Sequence, residues 1–484
     1  MNLAEATPAS TVSTTASSSS PRFPKLAALF LFTLLMNLAG TWILPLVDRD
    51  EPFYAEVSRE MNQRGDYLSP CFNGKFWMEK TPLLYWGQSL GGRLLGDSDF
   101  TARLPTSLAA SITTLLVFGF CTRLYGTTVA WRAAISFSLC LEMLMFGKAG
   151  TPDTLLMLCC TVTFWSGWEL LQKGGAKWWW LFYLSLAGAF YAKGPLLILP
   201  IGAIILYAYW VRPPRFFHTM KFALGGLMAA AIIALWLVPE LVVTHGEFYR
   251  VFFYQHVFER FIKPDHGHGS SNWLMFLAML PFYFLVAFPA FFPWSIHFPA
   301  AWQRLLGQRS DADRYLLSGL AVIFVFFTIS ITKLPHYTLP ALPLLACAVA
   351  PSITTRSIRL GAVGMVALNL LSASVLFPIA EKSSPNKALA ASPLLQPGTR
   401  IAAVDYSEPG LVWYLRARVQ SDLKKLKRSD VPGFLQESGP AACILPTEQL
   451  PKLSLDPAWQ VVSTRGFDIA KGRFINLSMI VNHR

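Results

Sequence analysis

LAALFLFTLLMNLAGTWILPLV, Leu26 to Val47, decides the fold. It reaches the roughly 20 apolar residues that a helix needs to cross a hydrocarbon core. In lipid the backbone must satisfy its own hydrogen bonds, so such a block is helical. It is too long for a signal-peptide core and lacks a small-residue cleavage site, so it reads as a retained first span. Comparable blocks recur at 105–121, 131–147, 153–171, 178–192, 194–211, 222–243, 273–298, 315–332, 336–350 and 360–380. The expectation is about 11 transmembrane helices, range 10–13. Composition agrees. Of 484 residues 53% are hydrophobic and only 14% charged, against about a quarter in a soluble protein. The mean hydropathy is +0.41. The class is an α-helical polytopic membrane protein.

The loops between the blocks alternate in character. Arg123 to Arg132, Lys173 to Lys177, Arg212 to Lys221, Arg304 to Arg314 and Arg356 to Arg359 are short and basic. Basic loops are retained on the cytoplasmic side. They account for much of the net charge of +13, and no basic stripe lies on a soluble domain, so no nucleic-acid partner is expected. The long segments 48–104 and 241–272 are mixed or acidic and fall outside by alternation. An odd span count puts 381–484 outside as well. That tail carries strand-like runs at Arg400 to Val404, Ala442 to Leu445, Trp459 to Ser463 and Phe474 to Val481, which predict a small α/β extracytoplasmic domain. Residues 1–24, rich in Ser, Thr, Ala and Pro, read as a disordered tail. The membrane domain is then 25–380. Five of the seven Cys lie in apolar blocks; only Cys71 and Cys443 fall in polar regions, where a disulfide between them is an option.

The first outer loop is dense in polar chemistry. Asp50-Glu51-Pro52 opens a helix. Phe53, Val57 and Met61 repeat at helical spacing opposite Glu56, Arg59 and Glu60. This predicts an amphipathic helix along the membrane surface, with Asp50 at headgroup level. Taken alone, Asp50 reads as a helix cap before it reads as a catalyst, and Glu79-Lys80 reads equally as a solvated ion pair. Lys193 interrupts an apolar run. It is either a functional group or a side chain snorkelling to the outer headgroups. Asp153 and Lys333, near outer span ends, pose the same choice. Tyr54, Tyr85 and Tyr337 suit sugar or lipid contact and equally suit interfacial anchoring. Asp265-His266-Gly267-His268-Gly269 reads as a flexible glycine loop in preference to a metal site.

The stretch Asp50-Glu51-Pro52-Phe53-Tyr54-Ala55-Glu56-Val57-Ser58-Arg59-Glu60-Met61 is followed by Gly65-Asp66-Tyr67, Asn73-Gly74, Glu79-Lys80-Thr81-Pro82-Leu83-Leu84-Tyr85-Trp86 and Ala102-Arg103-Leu104-Pro105. Later come Ala192-Lys193-Gly194-Pro195, Gln255-His256 with Glu259-Arg260-Phe261, and Lys333-Leu334-Pro335-His336-Tyr337-Thr338-Leu339-Pro340. In this order the set resembles bacterial polyprenyl-phosphate-sugar transferases of the GT-C fold. These are the family of the lipid A aminoarabinose transferase, related to the protein O-mannosyltransferases.

The resemblance implies a membrane glycosyltransferase at the bacterial inner membrane, its site facing the periplasm. The donor would be a polyprenyl-phosphate-linked sugar, and the acceptor a lipid A, another glycan or a protein. It implies Asp50 near the reacting carbon and Lys80 on the donor phosphate. Arg260 and Lys193 would join that phosphate, with Tyr54, Tyr85, Asp153, Lys333 and Tyr337 around the substrate. Glu79 and His256 match positions that hold a divalent metal, zinc or magnesium, although two protein ligands alone make a weak site. Two departures weaken the donor details: Phe53 stands where the family often has Arg, and Thr81 where it has a second Pro. A lipid-sugar flippase or transporter is the alternative from another class, against which stands the lack of an inverted repeat. A non-catalytic membrane scaffold is a third. Sugar, acceptor and oligomeric state stay open.

Overall fold

The computed structural model describes residues 23–47, 49–259, 273–307, 309–469 and 471–482. Arg260 and the Asp265 to Gly269 run lie outside the described residues, as do residues 1–22 of the expected tail. The first half runs α1 (Phe23–Leu38), α2 (Glu51–Arg64), a hairpin of β1 (Cys71–Phe72) and β2 (Lys75–Phe76), α3 (Leu83–Leu95), α4 (Asp99–Tyr125), α5 (Thr127–Leu139), α6 (Leu141–Phe146), α7 (Pro152–Lys173), α8 (Ala176–Lys193), α9 (Ile198–Val211), α10 (Phe216–Met220) and α11 (Phe222–Val243). A π-helical segment, Tyr249–Glu259, follows. Then come α12 (Trp273–Ala278), α13 (Phe282–Ala290), α14 (Phe298–Leu306), α15 (Asp311–Ile329), α16 (Leu342–Val349), α17 (Thr355–Leu371) and α18 (Phe377–Lys382).

Among the described residues, seven helical stretches are long and apolar enough to cross a membrane: Asp99–Tyr125, Pro152–Lys173, Ala176–Val211, Phe216–Val243, Trp273–Ala290, Asp311–Ile329 and Thr355–Lys382. The other apolar blocks of the expected eleven or so are short or broken here, and one of the seven stretches, Ala176–Val211, joins two of the expected spans. The first block stops at Leu38, and Gly40 turns the chain at φ 76°. The 131–147 block breaks at Cys140, whose ψ of 155° separates α5 from α6. The 336–350 block opens as a 3-10 segment, Pro335–Ala341, before the eight residues of α16. The Ala176–Val211 stretch is parted at Gly194, where φ is 63°. Hydroxyls inside the helices return to their own backbone, as Ser111 does to Ser107 O and Thr113 to Ala109 O. That satisfies them where water is absent.

The C-terminal part comprises α19 (Pro385–Ala390), β3 (Arg400–Ala403), α20 (Pro409–Val419), β4 (Leu423–Lys425), α21 (Val431–Gln436), β5 (Ala441–Pro446), β6 (Gln460–Asp468) and β7 (Arg473–Asn482). The sheet order is β4-β3-β5-β7-β6. β3 pairs parallel with β4 and β5, through crossovers containing α20 and α21; β7 pairs antiparallel with β5 and β6. One face packs on Leu411 and Leu415 of α20, the other on Val431 and Leu435 of α21. The four strand-like runs of the sequence all fall on strands. β4 was not legible: it has three residues, and both of its lysines are exposed. Cys71 and Cys443 are both free thiols, and Cys443 is buried in the sheet core, so no disulfide links them.

The helix α2 is where the structure corrects the sequence most. It was expected to float with its polar face in water. Instead Glu56, Arg59 and Glu60 are all buried, because α20 lies over that face. Arg59 pairs with Glu56, and Arg416 of α20 pairs with Glu56 and Glu60. The Arg59 guanidinium stacks 4.4 Å from the Trp413 ring and donates to Trp413 O at 2.9 Å. Trp413 Nε1 and Tyr414 Oη donate to the Asp99 carboxylate at 3.0 and 3.1 Å, at the start of α4.

Candidate active site

The N-terminus of α2 sets the site. Pro52 in its first turn suits the fixed φ of a helix start. Asp50 occupies the N-cap position, yet its side chain makes no capping hydrogen bond. The carboxylate is exposed, and Tyr54 Oη donates to its Oδ1 at 3.3 Å. Burial, then the charge of Asp50, hold the Tyr54 phenol well above its usual pKa, so it stays a donor.

Glu51, one residue on, does a different job. It is buried and receives Arg103 Nε at 2.9 Å and Nη2 at 2.6 Å. It also accepts Val47 N at 2.8 Å and Gly150 N at 2.6 Å. Arg103 in turn donates to the carbonyls of Thr41, Leu44 and Pro45. A buried bidentate pair with every oxygen satisfied is an anchor. It ties the start of α2 to α4 and to the segment leading into α7, and so holds Asp50 in place.

The polar residues from distant motifs meet around Asp50. Pro152 opens α7 and puts Asp153 in its first turn, where the carboxylate takes an ion pair from Lys193 at the end of α8. Lys193 Nζ also lies 5.0 Å from the Tyr337 ring. Lys80 acts electrostatically on Asp153. The Tyr54 and Tyr85 rings are 6.0 Å apart, and the Tyr85 hydroxyl accepts Trp77 Nε1 at 3.1 Å. Asp153 and Glu79 both lie within electrostatic reach of Tyr54. Glu79 Oε1 is 3.6 Å from His256 Nε2 on the π-helical segment. Gly194 lets that segment approach: a Cβ there would meet the Phe252 ring at 2.5 Å. Phe53 stacks 4.4 Å from Trp77, so an aromatic wall stands where the resembling family often has a cation.

Lys333 goes elsewhere. Its ammonium donates to Thr328 O at 2.6 Å, Ser330 O at 2.7 Å and Phe327 O at 3.4 Å. It caps the C-terminal carbonyls of α15, a favourable place for a cation. That accounts for all three of its donors without a substrate. Glu79 and His256 have a separation that two ligands of one tetrahedral zinc ion would show, roughly 3.4 Å from bonds of about 2 Å. Among the described residues no group of three His, Cys, Asp or Glu could hold a metal, and Glu79 with His256 is the pair those residues offer.

Asp50 also borders a cavity of about 510 Å³. Its polar end carries Asp50, Glu51, Arg103, Lys148, His336 and Asn369. Sequence reading singled out neither Lys148 nor His336 as a site residue. His336 lay inside a quoted motif and is within electrostatic reach of Asp50, Asp153 and Lys193. Lys148 follows an apolar block in the sequence, and burial is what marks it.

Residues 79–238 match the family described as dolichyl-phosphate-mannose-protein mannosyltransferase. The chain is 28% identical over 338 residues to the undecaprenyl phosphate-alpha-4-amino-4-deoxy-L-arabinose arabinosyl transferase of Erwinia tasmaniensis, covering 68% of this chain and 59% of that one. The enzyme of the same name from Edwardsiella ictaluri is 30% identical over 336 residues, covering 66% and 58%. The match thus spans less than two thirds of these relatives' length. The crystal structure of ArnT from Cupriavidus metallidurans bound to undecaprenyl phosphate shares the fold, with a TM-score of 0.74 over 95% of this chain and 98% of that one, at 18% identity. The chain is thus similar in sequence to polyprenyl-phosphate-sugar transferases over part of their length, and it shares the fold of ArnT.

Proposed function

We propose that this protein moves a sugar from a polyprenyl-phosphate donor to an acceptor at the outer face of the bacterial inner membrane. The observation that carries the reading is the state of Asp50. Its carboxylate is exposed and uncapped, held by the Tyr54 phenol, at the edge of a large cavity. A carboxylate with only a structural task would be spent on the helix N-terminus, as Glu51 is spent on Arg103.

In the reaction the acceptor oxygen attacks the anomeric carbon while the bond from that carbon to the lipid phosphate breaks. The phosphate leaves with the electron pair, and the anomeric centre inverts. Asp50 takes the proton when the acceptor is a hydroxyl. When the acceptor is already an anion no proton moves, and Asp50 orients it. Lys80 and Lys193 lie on the side of Asp153 and stabilise the departing phosphate. Arg260 adds a planar fork to the same phosphate. Tyr54, Tyr85 and Tyr337 border the sugar. Glu79 and His256 would hold a divalent ion, zinc or magnesium, which when bound supplies Lewis acidity toward a phosphate oxygen. The relatives named above support a lipid-linked aminopentose as donor, and the motif resemblance points to lipid A as acceptor; the extracytoplasmic α/β domain from 381 onward rests on α2 at the same face.

The test is transfer itself. Full-length protein in lipid is given radiolabelled polyprenyl-phosphate sugars and acceptors, wild type beside Asp50→Asn and Lys80→Ala. Asp50→Asn should lower kcat by about 10²–10⁴-fold, and Lys80→Ala should raise the donor KM. Unimpaired transfer in both variants removes this site. Labelled lipid that crosses the bilayer without transfer supports a flippase instead.

A further inference from the structure

Lys148 is a buried ammonium at the polar end of the Asp50 cavity. It donates to Asn369 Oδ1 at 2.6 Å and to Ala39 O at 3.2 Å, both neutral oxygens. Among the described residues no carboxylate pairs with it. Glu51 is spent on Arg103, and Asp50 makes no ion pair with it. Among the described residues two of its three N–H donors meet oxygens, and the ammonium lies 5.5 Å from the Phe377 ring. An uncompensated buried charge costs several kcal/mol, and an ionisable group at such a depth marks a ligand site more often than a packing choice.

The rest of the cavity says what that ligand is. Beyond the polar end the walls are apolar, with Leu141, Leu144, Met145, Leu368 and Phe377. Leu368 is partly exposed and continues into the exposed Leu370 and Leu371 on the outer side of α17, so the cavity opens toward lipid. At this mouth the backbone widens into a π-helical turn, Ser372–Leu376, a distortion common at functional sites. Lys80, Lys193, Glu79 and His256 do not line this cavity. Asp50 and His336 join it to the donor-phosphate cluster. A displacement needs the incoming and leaving groups on separate approaches to one carbon.

We propose that Lys148 binds the anionic headgroup of an amphiphilic acceptor, whose apolar chain enters past Leu368 and which is thereby presented to Asp50. The acceptor role rests on the proposed function; the anion site does not.

The competing account is a staple. Asn369 Nδ2 donates to Met36 O at 2.9 Å, so Lys148 links α1, α17 and the α6–α7 connection. A staple needs a donor, not a charge. The full chain is reconstituted in phosphatidylcholine nanodiscs with a photoreactive diazirine-bearing dodecyl phosphate, and crosslinks are mapped by mass spectrometry. Labelling should fall on residues 141–145 and 368–377 and drop at least tenfold in both Lys148→Gln and Lys148→Met. It should persist in Lys148→Arg and in Lys80→Ala. Undiminished labelling in a folded Lys148→Gln overturns the site and leaves the staple. Loss in Lys80→Ala alone assigns the probe to the donor site and overturns it too. Full protection by inorganic phosphate makes the ligand a free anion and overturns the amphiphile; protection by dodecyl phosphate only supports it. The labelling needs no turnover, so a failure of sugar transfer with labelling intact falls on the proposed function alone.

Discussion

At the residue scale, two adjacent carboxylates divide the work. Asp50 is left open to solvent, while Glu51 is buried against Arg103. The division makes two predictions. Tyr54→Phe removes the donor that fixes Asp50 and leaves the ring in place. It should lower kcat by roughly 5–10-fold, the value of about 1 kcal/mol for a hydrogen bond, with little change in donor KM. Equal loss in kcat and in thermal stability would mean that Tyr54 acts through packing alone. Arg103→Met strands Glu51 in the interior and should cost about 3–5 kcal/mol. Adding Glu51→Gln should recover part of the loss, because no charge is then left unpaired. Thermal unfolding of the single and double variants in one detergent checks this, and strict additivity would refute the anchor.

At the element scale, α2 is the part that joins the membrane helices to the C-terminal sheet. Its buried Glu56 faces Arg59 and Glu60 on its own helix and Arg416 on α20, with Asp97, Asp99 and Asp422 among the nearby acids. Burial outweighs the two guanidinium groups and pushes the Glu56 carboxyl up to about 7 from an ordinary 4.5. The folded state therefore holds this proton more tightly than the unfolded chain. Its stabilising share is complete below pH 4.5 and is lost as pH rises through about 7. The slope between is on the order of 1 kcal/mol per pH unit. The Tm difference between wild type and Glu56→Gln should accordingly change between pH 5 and pH 7.5 and be flat above pH 8. A constant difference across that range would show that Glu56 is ionised throughout.

At the scale of the whole molecule, the alternation of basic and mixed loops sets an expected sidedness that nothing in a single helix carries. Lys75 lies in the exposed hairpin between α2 and α3, while native Cys71 nearby is buried. A Lys75→Cys protein should react with a membrane-impermeant maleimide from the periplasmic side of spheroplasts. Reaction only after the cytoplasmic face is opened would invert the topology and remove the outer-face site. The same face carries α20, whose Trp413 and Arg416 close over α2. The C-terminal part thus acts as a cover that keeps the Asp50 helix in register with α4.

Hydropathy and turn chemistry are local, and for that reason the chain by itself determined the membrane class, most of the helices, the four longer strands and the loop that carries Asp50. Pro52, Pro152 and Gly194 are legible in the same way, because each acts on its own backbone. Charge pairing is not local. Arg103 reaches Glu51 across 52 residues, and Arg416 reaches Glu56 across 360. Only the tertiary structure could decide that Asp50 is no cap, that Glu51 is an anchor, that Lys333 serves α15, that α2 is buried on its polar face and that Lys148 meets neutral oxygens and no carboxylate among the described residues. A carboxylate or ammonium has the same letter whether it meets water, a partner or a ligand. Its meaning depends on which of these the fold brings to it.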